Sequence, residues 1–110
     1  MTAEPKPAST PLTADDLVSV VCAVPGVRGI EPGIATTLRA IDARIRRSQA
    51  DAHYGVILDR GSGTVIVEIG LHRTAPVRSI VADVQRTVRA AVRGHLPEGT
   101  DVMVRVQSLG

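Results

Sequence analysis

Aromatic side chains are almost missing from this chain. Tyr54 is the single one, and there is no Phe and no Trp in 110 residues. Base-stacking RNA modules and aromatic cages depend on such rings, so those classes lose their usual means of recognition. Cysteine is as scarce. Cys22 stands alone, so no internal disulfide forms and a reducing compartment is the expectation. It lies in an apolar run with no cation beside it, which predicts a buried hydrophobic residue and not a reactive thiol. Long hydrophobic runs are missing as well. The most apolar stretch, 17–27, contains Ser19, Pro25 and Gly26 and has about half the length of a membrane span. Residues 1–11 lack a basic stretch followed by an apolar one, so they do not read as a secretory signal.

Lysine is the next shortage. Lys6 is the only one, and the other twelve cations are Arg. Against eleven acids they leave a formal net charge of +2, too small to mark the whole chain as a polycation binder. Two segments are more cationic than the rest. Residues 28–47 carry Arg28, Arg39, Arg44, Arg46 and Arg47 against Glu31 and Asp42, a net +3. Residues 76–93 carry Arg78, Arg86, Arg89 and Arg93 against Asp83, again +3. Two such helices could face an anionic partner, a nucleic acid or a lipid surface; a solvated helix face is the plainer reading. The candidate partner or anion-binding surface is therefore Arg39, Arg44, Arg46, Arg47, Arg78, Arg86, Arg89 and Arg93.

No catalytic constellation is visible. His53, His72 and His95 are too far apart for a helical pair of metal ligands, and no second cysteine exists. His72 shares a strand face with Glu68, but four strand residues separate them by about 13 Å, so both read as solvated. Arg60-Gly61-Ser62-Gly63-Thr64 has a glycine-rich look. It lacks the Lys-Ser/Thr ending of a phosphate loop and joins two strands, so a hairpin turn accounts for it. Ser62 is not set in a nucleophile elbow. No catalytic residue, metal or cofactor is expected.

What is present is an aliphatic pattern sized for one domain. Residues 1–11, with Pro5, Pro7 and Pro11, read as a disordered tail; residues 12–110 read as a single domain. Thr13 and Asp16 form the outline of a capping box. Leu17, Val20, Val21 and Val24 give one face of a helix over about 14–24, ended by Pro25-Gly26. Residues 27–30 read as an extended link. Ile34, Leu38, Ile41 and Ile45 recur at helical spacing and predict a second helix over about 32–48. A strand over 54–58, a turn at 60–63 and a strand over 64–72 form a hairpin. In the second strand Val65, Val67, Ile69 and Leu71 point to one face, while Ile66, Glu68, Gly70 and His72 point to a wetter one. Thr74 and Pro76 open a strongly amphipathic helix over about 76–93, with Val77, Ile80, Val81, Val84, Val88, Ala91 and Val92 inward. Residues 101–106 form the last strand. The expected fold is α+β in two layers: a three-stranded mixed sheet, covered by the long helix, with two N-terminal helices. The last strand is expected beside the first.

The segments Val24-Pro25-Gly26-Val27-Arg28-Gly29-Ile30 and Tyr54-Gly55-Val56, the valine-rich hairpin and the helix from Thr74-Ala75-Pro76 to Val92 together resemble the alkaline shock protein 23 family of envelope stress response proteins. The likeness runs over about 12–107. The Tyr-Gly usual before the proline of the long helix is replaced here by Arg73-Thr74-Ala75. The resemblance implies a small, non-enzymatic α+β protein of the bacterial cytoplasm, of actinobacterial type, without cofactor. It also implies a peripheral place at the inner face of the cell membrane. Action would be by self-association into a homo-oligomer or by docking to a small membrane-anchored protein. The alternative carried by the arginines is a nucleic-acid-binding domain; a small enzyme is the third and weakest reading.

Overall fold

A computed structural model describes residues 11–33, 50–53 and 55–110 of the chain. The first helix, α1 (Ala14–Cys22), opens on the capping box: the Thr13 hydroxyl accepts from the Asp16 N–H, and the Asp16 carboxylate accepts from the Thr13 N–H. This satisfies two amide groups that a helix start leaves without partners. Leu17 and Val21 are buried on its inner face and Val24 just beyond it. Cys22 is exposed, which corrects the expectation of a buried thiol. It sits on the last helical residue, about 100° around the axis from Val21. Gly26 turns the chain at φ +93, and a Cβ there would lie 2.7 Å from the Ile80 side chain. Only glycine meets both conditions.

The strands follow as β1 (Val27–Ile30), β2 (Ala50–His53), β3 (Val56–Asp59) and β4 (Thr64–Leu71). The long helix α2 (Val77–Val92) comes next, and β5 (Asp101–Leu109) closes the chain. The sheet therefore has five strands, not the expected three. The link at 27–30 is a strand, and β2 was not expected at all. β4 is central. Along one edge it pairs antiparallel with β3 over its first half and with β1 over its second. The Glu68 N–H donates to Gly55 and the Glu68 carbonyl accepts from Glu31, where these two strands meet end to end. β2 extends the sheet beyond β3. β5 lies parallel to β4 on its other edge, from Thr64↔Asp101 onward. This overturns the placement of the last strand beside the first hairpin strand. The crossover through α2 returns β5 next to the strand it left, the shortest way to cover β4.

The core lies between the helices and one face of the sheet. Ile80, Val84, Val88 and Val92 of α2 meet Val56, Leu58, Val65, Val67, Ile69, Leu71 and Val102, with Leu17 and Val21 of α1 alongside. Burying each of the α2 residues contributes about 1.5 kcal/mol or more. Val77, expected inward, is exposed at 38%. Thr74 does not cap the helix; Pro76 occupies the cap position without a side-chain bond. Residues 31–33 carry no regular structure. The rest of the second N-terminal helix, like the tail at residues 1–10, lies outside the described residues.

The opposite face of the sheet is drier than its alternation implies. Ile57, Ile66 and Glu68 are all buried there, Glu68 to 1% exposure. The reading of Glu68 as solvated is thereby corrected. Its partners come from other elements, so nothing local in the sequence reports its burial.

Candidate functional site

Three features outside the core bear on function. The first is the outer face of α2. At 100° per residue, Arg78, Arg86, Arg89 and Arg93 fall within an arc of about 80° and span about 22 Å of helix. All four are exposed. Asp83 pairs with Arg86 at 2.5 Å, an exposed pair of the kind that contributes little. The helix period thus gathers half of the sequence-predicted surface into one ridge. Arg39, Arg44, Arg46 and Arg47 lie outside the described residues. Arg89 and Arg93 also border a hollow of ≈ 420 Å³ with Leu96, Pro97 and Glu98. Glu98 and the negative end of the helix dipole both oppose an anion at that spot. The ridge is therefore a better anionic contact along its length than at its end.

The second feature is a polar ladder on the sheet face away from the helices. Glu68 Oε1 accepts from the Gly33 N–H at 3.1 Å, and Oε2 accepts from Gln107 Nε2 at 3.2 Å. Arg105 Nη1 lies 3.6 Å from the same Oε2. The parallel register places Glu68 and Arg105 side by side. Farther along, Arg28 donates to Glu31 at 3.0 Å and to the Ser108 hydroxyl, which donates to Glu31 at 2.7 Å. The Ser108 hydroxyl first, and the Arg28 guanidinium second, hold the Glu31 carboxyl below the usual carboxylate range. Gly70 lies beneath this cluster, and the Glu31 carboxylate occupies the space a Cβ at position 70 would need. Both oxygens of Glu68 are thus engaged by the protein itself, while the half-exposed Glu31 is held through Oε2. Neither borders the hollow beside Arg89, nor a second hollow of ≈ 440 Å³ around His72, Pro76, Val77 and Leu109. This ladder ties β1, β4 and β5 together.

The third feature is the outer edge of β5. The Asp101 N–H donates inward to the Gly63 carbonyl. By strand alternation, Met103 and Arg105 turn their backbone groups inward too, and Val102, Val104 and Val106 turn theirs outward. Among the described residues one side chain reaches this edge: Gln85 Nε2 donates to the Val102 carbonyl at 3.2 Å. No described strand pairs there. Three large apolar side chains are exposed among the described residues, Val77, Met103 and Leu109, and two of them belong to β5. Sequence reasoning missed this site because it placed the last strand beside the first hairpin strand and not beside β4.

Among the described residues no group of three His, Cys, Asp or Glu side chains could hold a metal ion. No described helix is long and apolar enough to cross a membrane. No family model matches the sequence, and neither a curated protein nor a solved structure matches it.

Proposed function

We propose that this protein is a non-catalytic interaction module that works by self-association or by docking to a small membrane-anchored protein. In the light of its resemblance to alkaline shock protein 23, its setting would be the envelope stress response at the cytoplasmic face of the cell membrane. One observation carries the association reading: β5 presents an edge on which no described strand pairs, together with exposed Met103 and Leu109. Such an edge is a template for another strand. Sedimentation of the purified protein over a range of concentrations, with fractionation of the protein from cells retaining their membranes, tests it. Association in either assay is expected. A protein that stays monomeric and never accompanies membranes refutes it.

A second reading rests on the α2 ridge. Four exposed arginines on one stripe could engage a phosphate backbone. Four neutralised phosphates would give duplex-DNA affinity a log–log salt slope of about −3.6. Titration of labelled duplex DNA and of RNA at low and moderate salt decides it. The absence of binding at low salt ends this alternative.

A further inference from the structure

We propose that the partner for this edge is a second copy of the chain, joined antiparallel through β5 about a two-fold axis at Met103. The proposal rests on the association reading above and gives it a partner and a register.

β5 has few of the devices that keep edge strands apart; one that it does have is the Gln85 amide on the Val102 carbonyl, whose second lone pair is left for a strand partner. The strand contains no proline and no lysine, and its one irregularity comes late. The register with β4 passes from Ile69↔Val106 to Gly70↔Ser108, so Gln107 is an extra residue and bends the strand there. Residues 101–106 remain a straight edge of about 20 Å.

A two-fold axis perpendicular to the sheet keeps each side chain on its own face. Residues opposite one another must then share parity. An axis at any residue satisfies this, and the four interior residues of the straight segment, 102–105, have strand on both sides of the axis. An axis at Arg105 sets arginine against arginine. One at Val104 sets Arg105 against Met103, and Asp101 against the bulged Gln107. One at Val102 sets Asp101 against Met103 and leaves Arg105 beyond the strand, opposite Gly99. The axis at Met103 alone joins Asp101 to the second copy's Arg105, twice by symmetry, and lays Met103 on Met103.

The hydrogen-bonding phase agrees. Val102 and Val104 point their backbone groups outward, so they form the bonded pairs. Met103 and the Asp101–Arg105 pairs fall at non-bonded positions, where opposite side chains approach within about 5 Å. Asp101 is exposed and Met103 is 41% exposed, so both lose water on pairing. Arg105 would stand between Glu68 of its own chain, at 3.6 Å, and the second copy's Asp101. The buried carboxylate then becomes part of the contact, and the sheet continues from one copy into the next.

Cysteine cross-linking with sedimentation tests this, in a Cys22→Ser background because Cys22 is exposed. Met103→Cys is expected to form a disulfide-linked dimer under mild oxidation. Arg105→Cys is expected not to, since the two positions would lie about 13 Å apart along the strands. Asp101→Arg, at an exposed position, is expected to weaken the dimer about tenfold by replacing two attractions with two repulsions. A dimer that cross-links through position 105 and not 103, or that tolerates Asp101→Arg unchanged, overturns this register and leaves the association reading standing. A protein that is monomeric alone yet recovered with membranes overturns self-pairing and leaves docking to a membrane-anchored partner. A monomer absent from membranes ends both.

Discussion

The two faces of the sheet follow the same alternating pattern and do opposite things with it. Toward the helices, Val56, Leu58, Val65, Val67, Ile69 and Leu71 are buried in one aliphatic cluster. Toward the other side, Ile57 and Ile66 are buried too, but Glu68 stands beside them with a partner for each oxygen. The first face needs volume and hydrophobicity, which many aliphatic combinations satisfy. The second needs particular residues at particular distances, because a buried carboxylate is tolerated only when its oxygens are engaged. The contrast explains how an otherwise plain aliphatic domain comes to hold a charged cluster.

The sharpest way to break the comparison is to truncate neighbouring residues on opposite faces. Leu58→Ala should destabilise by about 3 kcal/mol, as a cavity in a packed core does, read from urea unfolding. Ile57→Ala should cost about 2 kcal/mol in the same assay if the second face is as dry as its burial indicates. A change within about 0.5 kcal/mol, as surface positions give, would mean that this face is core in accessibility only. Next comes Glu68. Its replacement by Ala leaves the Gly33 N–H and the Gln107 amide without their acceptor and should cost about 2 kcal/mol. Glu68→Gln keeps an acceptor and should cost about half that. Equal losses would show that charge, and not hydrogen-bond satisfaction, dominates the ladder.

The smallest effect belongs to Glu31, which is exposed enough for water to screen it. Its carboxyl is held low by Ser108 and then Arg28. A lowered folded-state value means that its contribution is complete above the unfolded-state pKa and fades as pH falls through the folded one. The stability gap between the parent and Glu31→Gln should therefore close on acidification. A gap that widens toward low pH would contradict the assigned cause.

Much of this architecture is legible in periodicity. The Thr13–Asp16 box, the α2 stripe and the β4 alternation each depend on residues a few positions apart. Local spacing reports them for that reason, and the α2 arginine ridge comes with them. The Glu68 site is different. Gln107 is 39 residues away and Gly33 is 35, so no window on the sequence brings them together.

The sequence by itself determined the α+β class, the capped first helix, the hairpin at 60–63 and the amphipathic α2. Each is a local preference of the backbone or a repeat of apolar side chains. Tertiary structure alone decided that 27–30 and 50–53 are strands, that Glu68 is buried and Cys22 exposed, and that β5 lies beside β4 with no described strand on its far edge. A strand exists only with a partner, and burial depends on what folds over a residue. Both are properties of chain segments brought together from a distance.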